Sequence, residues 1–494
     1  MNIIPLFIAI PLGIGFIIPM ITRRVSFKYL SDILANIATL TLLILSLFTV
    51  GKNYIYQMGS WPPPIGINLV LDGLSSFMLI IISLVSFMAT LFSVKYMEMY
   101  TSKLRYYSLF LIMVAGMNGV VLTGDLFNLF VFLEIASIAS YALVGFGCFH
   151  EELEASFKYL VLGSVASTFV LLGIAVAYAS FGTLNMAHIS MLMQGAGMGS
   201  VPMFVLALFI VGFGLKAALV PFHAWLPDAH PSAPAPISAM LSGVVIKAIG
   251  VYALVRIIFN VFGLTPLLSQ VLMILGVISM IVGVFLAVGQ WDIKRLFAYH
   301  SISQIGYVVL GIGLGTPLGI LGGLFHLANH SIFKSLLFLN AGAVEYTTQT
   351  RDLKKMGGLR EKMPVTSTTS FIASLAIAGI PPFNGFWSKL IIILACVMAN
   401  RIGFAMWAVL GSIMTLASFL KVQKFGFFGK LPETLKDIRE VPLLMRISMG
   451  CLAILCVVMG LLLLPVCKAA ILDPATNVLL NGLQYSKLIL GGAL

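Results

Sequence analysis

Long apolar stretches, each about as long as a membrane span, follow one another along most of the 494-residue chain. About 20 apolar residues cross a bilayer as a helix, and in lipid only a helix or a closed barrel satisfies its backbone hydrogen bonds. The pattern predicts an all-α polytopic membrane protein with about fourteen transmembrane helices. The predicted spans are residues 3–22, 30–50, 76–95, 106–123, 127–148, 158–181, 201–222, 237–261, 266–289, 296–315, 317–345, 365–399, 404–422 and 442–466.

Composition supports this class of protein and excludes others. Hydrophobic residues make up 60% of the chain and charged residues 9%, with a mean hydropathy of +1.07. A soluble domain is about 45–50% apolar and about 25% charged. The composition therefore excludes a soluble enzyme and a soluble nucleic-acid-binding protein. We expect the first apolar stretch to remain as a span rather than to be removed as a signal peptide.

The formal net charge of +12 has a topological explanation. If the N-terminus lies outside, most basic residues fall in cytoplasmic loops, whereas the loops on the opposite side carry little more than four basic residues. This asymmetry predicts a multi-pass protein of the cell membrane with both termini outside. The cytoplasmic set is Arg23, Arg24, Lys28, Lys103, Arg105, Lys294, Arg295, Arg351, Lys354, Lys355, Arg360, Lys362, Lys424, Lys430, Lys436 and Arg439, and the opposite set is Lys52, Arg401, Lys468 and Lys487.

A few ionisable residues interrupt the spans themselves. A charge near the bilayer centre costs at least about 2.5–3.5 kcal/mol on insertion scales, so such residues mark a functional site by default. His326, His330 and Lys334 are four residues apart and share one helix face. The candidates are Glu134, Lys216, Lys247, His326, His330, Lys334 and Lys389, with His223 and His300 as possible access or relay groups.

Some of these residues also have a purely structural interpretation. A basic side chain near a span end can extend to the interface, and we expect this of Lys158 and Arg256. Lys247 lies too deep in its span for the same explanation. Lys334 and His300 are equally well explained as structural hydrogen-bonding groups.

The sequence predicts neither a metal site nor a bound cofactor. A two-histidine metal site at His326 and His330 is disfavoured because that face carries no carboxylate or thiolate. The five cysteines are scattered in apolar surroundings without CxxC spacing, and no dinucleotide fingerprint stands out.

Proline residues predict that two spans are broken. The seventh contains Pro221 in GFGLKAALVPFHAWLPDAHPSAPAP, and the twelfth contains Pro381 and Pro382 in AIAGIPPFNGFWSKL. Such backbone is tolerated at membrane depth only when it is buried in protein or lines a wet cavity. The breaks lie five spans apart, and an odd-numbered unit that repeats must be inverted, so spans 4–8 and 9–13 form predicted inverted repeats. The predicted divisions are residues 1–105, 106–262, 263–423 and 424–494.

One acid, several lysines and two histidines at membrane depth can pass protons when their surroundings adjust their proton affinities. If Glu134 approaches Lys216, opening that pair releases a proton onward through Lys247, His330 and His326. Lys389 would then connect the path to an exit. A self-contained solute transporter, which also uses inverted repeats and broken helices, and a purely structural subunit remain open alternatives.

Several long motifs in fixed order resemble the antiporter-like subunit family shared by respiratory complex I, Mrp-type cation/proton antiporters and energy-converting membrane hydrogenases. These motifs are GDLFNLFVFLEI, GLKAALVPFHAWLPDAHPSAPAPISAMLSGVVIKAIG, HLANHSIFKSLLFLNAG and GIPPFNGFWSKL. The chain length and the LFNLFVFLE motif are most similar to the D-type group of Mrp antiporter subunits and to its counterpart in membrane-bound hydrogenases. Complex I is the alternative owner.

The resemblance implies a fourteen-helix core with a central charged axis for protons. It implies that Glu134 and Lys216 are the ion pair, that Lys247 is the central relay lysine and that Lys389 is the charged residue of the broken twelfth helix. His326 and His330 match the histidines of the eleventh helix. The implied partners are other membrane subunits, including related antiporter-like subunits, together with protons and sodium as candidate ions. Redox centres would belong to partner subunits.

Overall fold

Helices fill nearly all of the chain in the computed structural model, which describes residues 3–22 and 29–490. The first half contains α1 (Leu6–Thr22), α2 (Leu30–Leu47), α3 (Gly73–Tyr96), α4 (Lys103–Leu122), α5 (Leu126–Val144), α6 (His150–Phe181), α7 (Met186–Ala196), α8 (Ser200–Lys216), α9 (Leu226–Ser232) and α10 (Ala235–Phe262). The second half contains α11 (Pro266–Val288), α12 (Ile293–Gly313), α13 (Pro317–Thr348), α14 (Pro364–Ala378), α15 (Asn384–Met398), α16 (Ile402–Val422), α17 (Leu443–Val458), α18 (Asp473–Leu480) and α19 (Tyr485–Leu490).

The count of fourteen membrane crossings is confirmed. Within the described ranges, ten helices are each long and apolar enough to cross a membrane. The shorter apolar helices α1 and α8 add two crossings, and α14 with α15 forms another. The last is α13, whose 32 residues include buried histidine, asparagine and lysine side chains. The basic residues Arg23, Arg24 and Lys28 lie outside the described residues.

Short polar side chains begin several of these helices. Asp72 precedes α3, and its carboxylate accepts the Ser75 N–H at 2.9 Å while Ser75 Oγ accepts the Asp72 N–H at 2.7 Å. Asp125 accepts the Asn128 N–H at 2.8 Å at the start of α5. These bonds satisfy N–H groups that have no partner in the first turn. The capping side chains therefore fix where α3 and α5 begin.

The predicted breaks in the seventh and twelfth crossings are confirmed. Residues 217–225 separate α8 from α9, and residues 379–383 separate α14 from α15. Each break holds a cis peptide bond, before Pro221 and before Pro382. A tryptophan supports each break, since Trp225 donates to the Leu215 carbonyl at 2.9 Å and Trp387 donates to the Pro382 carbonyl at 3.3 Å. Protein groups therefore replace part of the lost helical hydrogen bonding.

Several elements did not emerge from the hydrophobic pattern. An antiparallel pair of strands, β1 (Tyr54–Gln57) and β2 (Asn68–Leu71), precedes α3. The polar tail forms helices that pack on the bundle. One contact between them is the hydrogen bond that the Asn260 amide donates to the Val478 carbonyl at 2.7 Å. The residue boundaries assigned to the two inverted repeats stay a prediction.

Two cations expected near the aqueous phase are buried instead. The interfacial position predicted for Arg256 is wrong, because this residue is 3% exposed and its two terminal nitrogens meet the Asp72 carboxylate at 2.7 and 2.8 Å. Lys294, expected in a loop, is buried with its amine 2.6 Å from the Glu345 carboxylate. Carboxylates distant in sequence compensate both charges. Lys158 is exposed, as predicted.

Candidate site along a buried charged axis

Lys216 ends α8 directly before the first break and faces Glu134 in the middle of α5. Its amine lies 3.6 Å from Glu134 Oε1 and donates to Ser137 Oγ at 2.9 Å and to Tyr141 Oη at 3.1 Å. Ser167 on α6 donates to the Glu134 carboxylate. The ammonium is therefore held by hydroxyl groups as well as by the carboxylate.

The two members of this pair differ in their exposure. The Lys216 side chain is 2% exposed, whereas the Glu134 side chain is 27% exposed. An ammonium without its counterion is very costly in a dry interior. The hydroxyl groups of Ser137 and Tyr141 keep two hydrogen bonds to the lysine when the carboxylate moves or becomes protonated. The pair can therefore open without leaving the amine unsolvated.

Lys247 lies in the middle of α10, in a π-helical segment over Leu241–Tyr252. Its amine donates to the Gly243 carbonyl at 2.8 Å and to the Ser242 carbonyl. The side chain is fully buried, and no carboxylate of the described residues lies within 4.0 Å of the amine. Wide turns of this kind occur frequently at functional sites. Lys247 is thus a buried amine whose hydrogen-bond partners are carbonyl groups of its own helix.

His326 and His330 lie on the same face of α13, as their spacing predicted. Their rings are nearly parallel, with an interplanar angle of 9° and centroids 6.4 Å apart. The His326 ring nitrogens are 2.9 Å from Ser388 Oγ and 3.2 Å from Gln304 Oε1. Both ring nitrogens of His330 are buried without a hydrogen-bond partner in the described structure. His330 is therefore free to accept a proton or to donate one.

Lys334 and Lys389 are two further buried lysines, and each contacts a different set of groups. The Lys334 amine donates to the Phe297 carbonyl and lies 5.5 Å from the centre of the Phe338 ring. The Lys389 amine donates to the Ile377 carbonyl at 2.8 Å, which belongs to the end of α14 before the second break. It also lies 4.8 Å from the centre of the Tyr307 ring.

Contacts through Tyr307 and Ser388 link Lys389 to His326 on α13. The Tyr307 ring that faces the Lys389 amine lies 5.5 Å from the His326 ring. Ser388, the residue before Lys389, binds the His326 ring. Lys247, Lys334 and Lys389 all lie within electrostatic reach of His330. These five residues form one group, which we call the central cluster: Lys247, His326, His330, Lys334 and Lys389.

The Glu134–Lys216 pair and the central cluster are neighbours without a direct polar link. Ala217 follows Lys216 and packs so tightly on α10 that a Cβ atom at Gly250 would lie 2.6 Å from its Cα. Glycine is thus required where α10 passes the first break. Among the described residues, no hydrogen bond or ion pair joins Lys216 to Lys247.

The two flanking histidines have different positions. His300 on α12 is fully buried beside the central cluster, within electrostatic reach of Lys334 and Lys389. Its ring nitrogens have no hydrogen-bond partner in the described part of the chain. His223 lies in the first break and is half-buried. It contacts the Pro221 backbone rather than the candidate residues.

Sequence reasoning missed the polar groups that surround the candidate residues. Ser137 and Tyr141 lie three and seven residues after Glu134, so the spacing of one helix face would have found them. Gln304 and Ser388 come from other helices, and nothing in the sequence links them to His326. His230 was also missed, because its proline-rich surroundings indicated a loop. The structure buries it completely.

The arrangement suits proton exchange better than metal binding. No group of three metal-ligating side chains occurs among residues 3–22 and 29–490. The available groups are one carboxylate, amines and imidazoles, which gain and lose protons without large rearrangement. The lysine amines of the central cluster contact aromatic rings and backbone carbonyl groups. These groups do not form the oxygen-rich cage that a hard metal ion requires.

Comparison with known proteins shows the family of this chain. Residues 123–415 match the membrane family described as NADH:quinone oxidoreductase/Mrp antiporter, and residues 59–107 match the N-terminus of chain 5 of NADH-ubiquinone oxidoreductase (complex I). The chain belongs to the NADH:quinone oxidoreductase/Mrp antiporter family. The predicted family resemblance is therefore confirmed.

Individual members of the NADH:quinone oxidoreductase/Mrp antiporter family cover nearly the whole chain. The D-type Na(+)/H(+) antiporter subunit of Alkalihalophilus pseudofirmus is 36% identical over 88% of this chain and 88% of its own. The N-type NADH-quinone oxidoreductase subunit of Desulforudis audaxviator is 35% identical over 87% of this chain and 86% of its own. A chain of the Mrp complex from Dietzia sp. superimposes with a TM-score of 0.90 at 30% identity, covering 99% of both chains.

Proposed function

We propose that this chain is a proton-translocating, antiporter-like membrane subunit of a multisubunit energy-converting complex. Protons would move along the axis formed by Glu134, Lys216 and the central cluster. One observation carries the proposal: Lys247 is a fully buried amine held by backbone carbonyls, with no carboxylate partner among the described residues. Burying an ionisable amine at membrane depth costs free energy, so such a residue marks a functional site by default.

The proposed cycle begins at the Glu134–Lys216 pair. When Glu134 takes up a proton or moves, Lys216 loses its counterion, while Ser137 and Tyr141 continue to hold the amine. The lysine then gives its proton to the central cluster through water beside the Ala217–Gly250 contact. His330 and His326 pass it to Lys389, which lies at the second helix break and forms the exit. His300 is an additional relay group beside the cluster.

The relatives support more than one candidate for the complex that contains this subunit. An Mrp-type antiporter or a ferredoxin-linked membrane-bound hydrogenase accounts best for the sequence motifs and length. A quinone-reducing complex I is the second candidate, favoured by the 35% identity with an NADH-quinone oxidoreductase subunit. In each case the partners are other membrane subunits, including related antiporter-like subunits, and any redox centre belongs to them. Protons are the proposed ion for this chain, with sodium handled by another subunit. We place both termini outside the cell membrane.

Lys247→Ala tests the proposal in membrane vesicles that contain the assembled complex. Proton movement is followed with a pH-sensitive dye, and subunit levels are measured in the same vesicles. We expect coupled proton transport to fall by at least roughly 10²-fold while assembly is preserved. The matched control is Lys436→Ala, because Lys436 is 60% exposed and, among the described residues, pairs only with neighbouring Glu433. Normal transport in Lys247→Ala at normal protein levels would contradict the proposal.

Purification distinguishes the remaining alternative. A self-contained solute transporter would retain transport in vesicles containing this chain alone. We expect the isolated chain to be inactive and the complex to be active. Transport by the isolated chain would instead identify it as an independent transporter.

A further inference from the structure

The largest of the described cavities lies where α6, α9, α12 and the residues after α13 meet, outside the axis described so far. It is open to the surface and has a volume of about 510 Å³. Charged side chains of both signs line most of it, and we call it the α9 cavity. They include Glu154, Lys158, Asp228, Asp292, Arg295 and Arg351. A surface cavity with this polar lining is accessible to water.

The short helix α9 separates this cavity from the interior. Pro227, Asp228, Pro231 and Ser232 on one side of α9 line the cavity. His230 lies on the other side and is fully buried. Helix α9 follows the first break, so the broken crossing places the cavity on one side of a single short helix and the fully buried His230 on the other.

Both ring nitrogens of His230 are buried without a hydrogen-bond partner among the described residues. Buried polar groups are nearly always hydrogen-bonded, so an imidazole with two unpaired nitrogens requires an explanation. A purely structural histidine would be expected to use at least one nitrogen. The ring is nevertheless well positioned, because it packs on Trp225 and Phe338 with centroid distances of 6.3 and 5.4 Å.

Phe338 connects His230 with the central cluster. Its ring centre lies 5.4 Å from the His230 ring and 5.5 Å from the Lys334 amine. Lys334 and Lys247 both lie within electrostatic reach of His230. One phenyl ring therefore contacts a histidine beside the α9 cavity and a lysine of the proposed proton axis.

We propose that His230 is a further proton-carrying residue, which takes protons from the α9 cavity and delivers them to Lys334 past the Phe338 ring. One ring nitrogen accepts a proton from hydronium in the cavity, which becomes water, and the other nitrogen releases its proton to the Lys334 amine in its neutral form, which becomes an ammonium. The imidazole returns to its neutral state as the other tautomer, and rotation of the ring restores the starting arrangement, so one proton moves inward and nothing else is consumed. Phe338 blocks direct contact and must rotate for each transfer. This inference rests on the proposed function.

Three variants test the inference in the assembled complex, in the same vesicle assay. His230→Gln keeps hydrogen-bonding capacity and similar size but cannot carry a proton, and we expect roughly 10²-fold slower transport with normal assembly. His230→Gly removes the side chain next to a wet cavity. Added imidazole should restore several-fold of its transport rate, but should not help His230→Gln, whose side chain fills the space. The control is His188→Gln, since His188 lies on α7 away from the cavity.

The outcomes separate this inference from the function on which it rests. Normal transport in His230→Gln, or a loss in His230→Gly that imidazole does not restore, would overturn the role of His230. If Lys247→Ala is inactive in the same experiment, the proposed function still stands. If Lys247→Ala also transports normally, the axis itself is refuted.

Discussion

Buried cations occur in two different settings within one helix, α10. Lys247 in its middle donates to the carbonyls of Ser242 and Gly243 and has no carboxylate of the described residues beside it. Arg256 near its end forms a bidentate pair with Asp72 and also donates to Tyr252 Oη at 3.0 Å. A guanidinium paired in this way keeps its proton permanently. An amine solvated by carbonyl groups can lose its proton and regain it. Burial alone therefore does not mark a relay residue, and the proposal requires in addition that the group can lose its proton and regain it.

The Asp72–Arg256 pair also has a structural task that Lys247 lacks. Asp72 begins α3, while the Arg256 guanidinium lies 5.4 Å from the Tyr485 ring of α19. Asn260, one turn after Arg256, binds the carbonyls of Val478 and Gly482. The pair therefore ties α3, α10 and the C-terminal helices together at one end of the bundle.

The strongest test of this comparison makes the same substitution at both positions. Arg256→Met leaves the Asp72 carboxylate buried without its partner, which costs roughly 3–5 kcal/mol. We expect a large fall in thermal stability and in the yield of assembled complex, measured by melting of the detergent-solubilised complex. Lys247→Met should melt at nearly the wild-type temperature and lose transport. Normal stability of Arg256→Met would remove the distinction between the two settings.

The double variant Asp72→Leu with Arg256→Met sharpens the same point. Removing both charges abolishes the desolvation cost of the unpaired carboxylate, and replacing a buried pair with apolar residues is often neutral. We expect most of the lost melting temperature to return, together with transport. A double variant that is stable but cannot transport would show that Arg256 belongs to the proton path.

The fold followed from the sequence further than the site did. Long apolar stretches predict the membrane crossings, and prolines such as Pro221 and Pro382 predict the helix breaks, because both effects act locally along the chain. The partner of Arg256 could not be predicted, since Asp72 lies 184 residues away. The π-helical turn that offers carbonyls to Lys247 has no local signature. His230 was overlooked because a proline-rich context says nothing about packing in the folded protein.

Removing the hydroxyl groups around Lys216 is expected to have a smaller effect on transport. Ser137→Ala with Tyr141→Phe removes both neutral acceptors from the amine, each worth about 1 kcal/mol net. Lys216 then depends on Glu134 alone, so the pair opens less readily. We expect transport to slow by roughly tenfold with little change in assembly. The control is Ser164→Ala, because Ser164 on α6 is not among the hydrogen-bond partners of Lys216. Unchanged transport would show that the carboxylate alone controls this lysine.

The smallest expected effect concerns Ser388, which orients His326 beside Lys389. Ser388→Ala removes the hydroxyl 2.9 Å from one ring nitrogen and leaves Gln304 on the other. Loss of one neutral hydrogen bond corresponds to about 1 kcal/mol, or roughly a fivefold change in rate. Transport measured per assembled complex should fall by that amount, and Ser388→Thr should restore it by supplying the hydroxyl again. A larger loss in Ser388→Ala would mean that the hydroxyl itself carries the proton between His326 and Lys389. The second helix break would then hold a proton-carrying group in addition to its lysine.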